Sequence, residues 1–468
     1  MTARTRATAD YQILTLNTAR RSGLKALAAL SIALCAIAMA LGSASAQPQS
    51  SGDAQKEYDQ TFDQLLHDPT NVQLTYRFAE LAVQVGNFES AITALERMLL
   101  FNPNLPQIKI ELADLYIHLG SYDVAQVYLN QARAASNLSP ELLSRIDKLQ
   151  GDIDHGHSRH KWAANVLVGL RYQSNANAGP AGSSVLAGGV PATLNNDFVR
   201  KSDWNAFFAG TAQHSYDLGL HQNATWETNV YGYGSKQCVV NRVDLAYFEV
   251  NTGPRFDVGT EQRTFFSMRP YVLANDVLLG DNQYFWTGGA GVEFDRTITS
   301  RIQAGIDYEY RNKSFANSNY FPTADLLSSS LNSLSGLIAY HILDNGILTV
   351  GASVDDEDAR AKFNSNQSLE VYGSYTHSFQ LPYQFPPGPL VITPAVYRIY
   401  TNYGAPDPAV SPTEKELTQE WRFMLTGQLG LTKHIAANIE FMRQLVYSGL
   451  VNFKYDNTQV IVGLLFTY

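Results

Sequence analysis

Cysteine is nearly absent from this chain: there are two in 468 residues, Cys35 and Cys238. Cys35 falls in a segment expected to be removed, so no intramolecular disulfide is expected and a disulfide scaffold is excluded. Charge is sparse as well, at 16% of residues, yet mean hydropathy is only −0.17. That combination suits neither a disordered chain nor a bundle of membrane helices. Past the N-terminus no run of 18 apolar residues occurs, so no helical membrane span is expected. Enzyme signatures are missing too: there is no G-x-S-x-G elbow, no H-E-x-x-H and no phosphate-binding glycine loop. The expectation is a protein that is not an enzyme, with no catalytic residue, no metal site and no cofactor. What the chain does have is 26 Tyr, 22 Phe and 33 Gly, a composition that suits aromatic-rich strands with one face towards lipid.

Residues 1–46 have the build of a signal peptide. Arg4, Arg6, Arg20, Arg21 and Lys25 form a basic region, an Ala-rich apolar run spans 26–41, and Ala44-Ser45-Ala46 precedes Gln47 as a cleavage site. Removal takes away five basic residues and Asp10, leaving 29 basic and 42 acidic residues, a formal −13. An acidic surface speaks against a nucleic-acid partner.

Residues 47–153 read as a helical domain, and its mark is self-similarity. Phe78-Ala79, Gly86, Phe88 and Ala91 recur 34 residues later as Leu112-Ala113, Gly120, Tyr122 and Ala125. Thirty-four is the tetratricopeptide (TPR) period. Asp68-Pro69 and Asn102-Pro103 repeat at the same offset, so Tyr58–His67 reads as the second helix of an incomplete first repeat. Ser139-Pro140 opens a capping helix expected to stop at Gly151. Such arrays bind peptides in a concave groove; on this repeat Gln73, Tyr76, Glu80, Gln107 and Asp114 are the residues expected to face it.

Residues 154–161 read as a polar linker. Its His155, His157 and His160 have the density of a metal tract, but a linker offers no second set of residues to orient them, and a hinge is expected.

From 162 to 468 the hydrophobic period switches to two. In 302–310, Ile302, Ala304, Ile306, Tyr308 and Tyr310 alternate with Gln303, Gly305, Asp307 and Glu309. In 421–430, Trp421, Phe423, Leu425 and Leu429 alternate with Arg422, Met424, Thr426 and Gln428. Fourteen such runs are counted, an even number, with mostly long polar connections at one end and mostly short turns at the other. The last run, Val460 to Tyr468, has alternate apolar positions and an aromatic end, as outer-membrane barrels do. The expected fold is therefore α+β multidomain: an N-terminal α-helical TPR array, then a C-terminal antiparallel transmembrane β-barrel of about 14 strands. The lumen is expected to be lined by residues such as Gln303, Asp307, Glu309, Arg422 and Gln428.

Helical repeats ahead of a fourteen-stranded barrel, and the opening Gly169-Leu170-Arg171-Tyr172-Gln173-Ser174-Asn175-Ala176-Asn177-Ala178-Gly179-Pro180, resemble the surface lipoprotein assembly modulators (Slam family). The resemblance implies a cell outer-membrane translocon, with the helical domain in the periplasm, promoting export or surface display of lipoproteins or related secreted proteins. Implied partners are the exported protein or lipoprotein substrate, outer-membrane lipid, the barrel assembly machinery and periplasmic chaperones. The chain departs from the family in having two full repeats and a fragment. An exopolysaccharide export porin and a passive diffusion channel with a structural periplasmic domain are the alternative readings.

Overall fold

A computed structural model describes residues 51–68, 71–135, 138–220, 224–260, 263–381 and 388–468. The signal peptide and its cleavage site lie outside them. The chain divides into a helical unit ending at Arg159 and a barrel unit, His160–Tyr468.

Six helices make up the described helical unit: α1 (Ser51–His67), α2 (Val72–Gln84), α3 (Phe88–Phe101), α4 (Pro106–His118), α5 (Tyr122–Arg133) and α6 (Pro140–His157). The 34-residue pairs occupy equivalent places. Phe78, Ala79, Leu112 and Ala113 are buried on α2 and α4, and Ala91 and Ala125 are fully buried on α3 and α5. The turn between the helices of each repeat is set by glycine. Gly86 (φ +80°) and Gly120 (φ +71°) take left-handed conformations that a side chain would strain. The Asn87 and Ser121 amides then reach back to the Ala82 and Tyr116 carbonyls at 2.8 Å, closing both helix ends. Asn71 and Asn87 start α2 and α3 by accepting from the Leu74 and Ser90 amides.

The capping helix does not stop at Gly151. It runs on to His157, and β1 begins at His160, so most of the expected 154–161 linker is regular structure. A glycine inside a helix costs about 1 kcal/mol. One turn of continued helix buries Ile153 completely beside Ile146 and Leu149, and burying such a side chain stabilises by roughly 1.5–3 kcal/mol. Burial wins. The His155 and His157 side chains lie outside the described part, while His160 sits 2.9 Å from His214 of the neighbouring strand.

The barrel strands are β1 (His160–Gln173), β4 (Asp203–Asp217), β5 (Thr225–Gln237), β6 (Leu245–Thr260), β7 (Arg263–Leu279), β8 (Asn282–Thr299), β9 (Ile302–Phe315), β10 (Ser329–Leu343), β11 (Gly346–Ala359), β12 (Asn366–Phe379), β13 (Leu390–Pro406), β14 (Lys415–Gly430), β15 (Ile435–Ser448) and β16 (Tyr455–Thr467). Each pairs antiparallel with its neighbours, and β1 pairs with β16 from Asn165–Thr467 to Gln173–Gln459, closing fourteen strands into a barrel. Closure leaves none of these fourteen strands with a free edge, the condition for strands to cross lipid. At the rim where β1 begins, the described connections are short, such as Asp344-Asn345. The far rim carries residues 174–202, 316–328 and 407–414. Gly280-Asp281, also at the far rim, is a two-residue turn with both φ positive, the form a tight hairpin needs.

The alternation seen in the sequence separates two faces. Val168, Leu170, Val272, Ile306, Ile338, Val350, Leu425, Ile439 and Val462 are exposed on the outward face, an apolar surface too large for water. All five tryptophans are outward and exposed. Trp162 and Trp226 stand near the first rim with Tyr340 and Phe466, while Trp204, Trp286 and Trp421 stand towards the far rim with Tyr400. On β13, Tyr400 and Leu390 are ten residues apart. At about 3.3 Å per residue and a tilt near 40° that is roughly 25 Å along the axis, the height of a hydrocarbon band. An apolar belt between two aromatic girdles is the build of a bacterial outer-membrane barrel.

Candidate functional site: the barrel lumen and the helical groove

Inward positions carry the polar set. Gln303, Asp307, Glu309, Arg422 and Gln428 all lie on the face opposite the apolar belt; Glu309 and Arg422 are almost fully buried, and Gln303 is exposed towards the first rim. Two of them belong to a charge network that sequence reasoning did not reach. Arg311 on β9 pairs with Glu249 of β6 at 2.9 Å and with Glu309 at 2.5 Å. The Tyr271 hydroxyl reaches Glu309 and Asp307, both at 3.0 Å, and the Tyr247 hydroxyl donates to Glu249. Beside them Arg255 holds Glu227 and Glu293 at 2.8 Å and Asp295 at 2.7 Å. Arg269, with no exposed surface, meets the same Glu227 and Glu293 at 3.3 and 3.4 Å and covers the Tyr271 ring. Glu227, Glu249, Glu293, Asp295, Asp307 and Glu309 thus face Arg255, Arg269 and Arg311. The wall is acidic there by three charges.

A second inward cluster lies on the opposite wall. There Arg422 pairs with Glu420, to which Gln444 also donates. Apart from that cluster, Arg171 of β1 lies 5.9 Å from both the Phe207 ring of β4 and the Tyr233 ring of β5. The signal for the charged residues was their phase: each is a charge at an inward position of a period-two run.

Over the far rim, residues 174–202, one of the long polar connections, carry structure of their own. They contain a hairpin, β2 (Ser184–Ala187) and β3 (Val190–Thr193), turned at Gly188-Gly189 with both φ positive. The hairpin docks on neighbouring connections. Gly188 and Gly189 donate to the Ala409 and Val410 carbonyls at 3.0 and 2.8 Å, and Asn452 brackets the Leu186 backbone. Leu186 packs against Val410, Leu450 and Phe453. The base of the loop is the S-N-x-N stretch. The Asn175 side chain, fully buried, donates to the Gly179 carbonyl at 2.8 Å and accepts from the Gly179 amide at 3.0 Å. Asn177 donates to the Val199 carbonyl at 2.8 Å and accepts from the Lys201 amide at 2.9 Å. These asparagines replace backbone partners that an irregular buried segment lacks. The motif is a clamp for the loop.

In the helical unit, Gln73, Glu80 and Gln107 are exposed, whereas Tyr76 and Asp114 are half-buried. The structure brings Tyr76, Glu80 and Asp114 to one face and adds two residues the sequence reading missed, Glu111 and Arg145. Arg145 of α6 grips Glu111 through two bonds of 2.6 and 2.7 Å and reaches Asp114 at 3.2 Å. The Glu111 hydrogen bonds lead in raising the Arg145 pKa, with Asp114 adding to them. Burial, then the neighbouring Glu111 and Glu80, push the Tyr76 hydroxyl above its usual range. Among the described residues no hydrogen bond ties Gln73 or Gln107 to this set. Beneath it, Tyr116 and Tyr128 both donate to Glu96 at 2.9 Å, and burial pushes Tyr128 up to about 12.

The tetratricopeptide repeat family model matches residues 82–144. A search of curated protein sequences found no match. Among solved structures the barrel is similar to a FadL homologue from Pseudomonas aeruginosa, at 10% identity over 67% of this chain and 90% of that one, with a TM-score of 0.35. It is also similar to a bacterial polysaccharide outer membrane secretin, at 11% identity over 65% and 98%, TM-score 0.32. The helices are similar to PcrH in complex with the chaperone binding region of PopD, at 14% identity over 27% and 91%, TM-score 0.21. Likenesses this distant say nothing of what the barrel carries.

Proposed function

We propose that this chain is an export protein of the outer membrane that promotes the surface display of lipoproteins or related secreted proteins. The observation that carries the reading is the pairing, in one chain, of a TPR unit whose groove presents Tyr76, Glu80, Glu111 and Asp114 with a closed membrane-type barrel. The first rim faces the periplasm in this account, because the helical unit leads directly into β1 there, and the longer connections face outwards. Substrate segments meet the groove and then the polar inward wall, and the role is conformational, without bond chemistry.

The acidic wall bears on the alternatives. Three uncompensated carboxylates among the β5–β9 inward residues repel a polyanion, which weighs against export of an acidic polysaccharide. A passive channel is separated by conductance. Purified full-length protein in planar bilayers should stay closed most of the time, with brief openings that prefer cations. A steady open conductance in the unmodified protein would move the assignment to a diffusion channel.

A further inference from the structure

The far girdle is interrupted by arginines where β13, β14, β15 and β16 meet. Arg398 stands on the outward face of β13 between Val396 and Tyr400, both exposed. Its guanidinium lies 4.2 Å from the Tyr400 ring centre and 4.7 Å from that of Trp421. It donates to the Gln419 side chain and the Glu420 carbonyl. Among the described residues it has no carboxylate partner, and its buried Nε has no hydrogen-bond partner. Two strands on, outward Arg443 donates to Thr458 at 2.7 Å and pairs with Asp456 at 2.6 Å. Asp456 is shared with Arg200 of the rim loop at 3.0 Å. Three guanidiniums against one carboxylate leave this sector with two net positive charges.

The floor between the arginines is apolar and flat. Trp421 and Phe423, adjacent outward positions on β14, lie nearly parallel, 6° apart at 6.0 Å. Other outward charges at this level are acidic or balanced: Asp276 accepts from Gln283, Asp356 from Gln367, and Lys236 bridges Asp244 and Asp281. The positive excess is therefore local. Arg398 sits only two residues inside the girdle residue Tyr400, at the depth where an outward arginine is tolerated and can reach headgroups. A guanidinium fork fits a phosphate group through two parallel bonds.

We propose that this sector holds the phosphorylated headgroup of an anionic lipid, with Arg398 and Arg443 on the phosphate and Trp421 and Phe423 under the lipid's apolar part. The proposal rests on the outward face lying in a membrane, and is independent of what the barrel exports.

The test uses full-length protein in neutral detergent, titrated with a diphosphorylated glucosamine lipid (lipid A), its dephosphorylated analogue, or inorganic phosphate. Bound lipid is counted by native mass spectrometry. The phosphorylated lipid should bind at least about tenfold tighter than the analogue, and inorganic phosphate should not compete at equal concentration. Arg398→Gln should lose about tenfold, and Arg398→Lys should recover part of it. Equal binding of both lipids, or Arg398→Gln equal to wild type, overturns the site. Arg443→Gln should add to the loss; since Arg443 also ties β15 to β16, Arg398→Gln alone decides if that variant misfolds. Flotation with phosphatidylcholine vesicles separates the underlying reading. A protein that floats without preferring phosphate contradicts the lipid site, whereas one that does not float contradicts the membrane-spanning barrel itself.

Discussion

Replacing Arg311 by methionine should lower the unfolding free energy of the barrel by about 3–5 kcal/mol, the usual effect of breaking a buried ion pair from one side. Methionine keeps the unbranched apolar stem and removes the guanidinium, so the loss reports mainly the charge and its bonds. Arg311 is almost fully buried, and its partners Glu249 and Glu309 are buried with it. Without the guanidinium two carboxylates must remain charged in a place that excludes water, or take up protons. Arg269→Met is the control. Its partners Glu227 and Glu293 are also held by Arg255 at 2.8 Å, so a smaller loss is expected even though Arg269 has no exposed surface. Urea titration of refolding into lipid vesicles measures both. A loss below 1 kcal/mol for Arg311→Met would mean that this layer of the lumen is wet and its ions already solvated.

Asn175→Ala should release the rim loop. The substitution removes both bonds to Gly179 and a third to the Asp456 carbonyl at 3.2 Å. The Gly179 amide and carbonyl then lose their side-chain partner in a buried turn, at about 1–3 kcal/mol for each orphaned group. Gly179 cannot shift to compensate, because it packs directly on the Phe198–Arg200 backbone. Opening of residues 174–202 should rise on the order of a hundredfold, read as the rate of protease cleavage within the loop on folded protein. Barrel stability should change little, since the strand ladder is untouched. Unchanged cleavage would show that the β2–β3 hairpin, docked on 407–414 and 449–454, holds the loop alone.

Much of this architecture was legible because it is periodic. A 34-residue offset placed both glycine turns and the buried alanines, and a period of two placed fourteen strands within a few residues of their observed ends. Non-periodic features were harder to see. The helix beyond Gly151 depended on Ile153 finding a buried seat, and the sequence carries only the glycine's stop signal. The β2–β3 hairpin lies in a stretch rich in Gly and Ser whose strands are four residues each. Outward Arg398 breaks the phase of its strand, so it reads as an ordinary interruption until its two aromatic neighbours are known. The groove was partly legible. Gln73 and Gln107, and Glu80 and Asp114, are pairs at the repeat offset. The same offset links Arg77, Glu111 and Arg145, so Arg145 could have been found by extending the repeat into the capping helix. Its bond to Glu111 could not, because it depends on how closely α6 packs on α4.

The central claim is export of surface proteins, and a deletion strain tests it most directly. Intact wild-type, deleted and complemented cells are shaved with protease, and the released peptides are compared. The account predicts that one or a few surface proteins disappear from the deletion profile and return with the intact gene. A profile unchanged in every surface protein would contradict it and leave polysaccharide export or passive diffusion as the barrel's work.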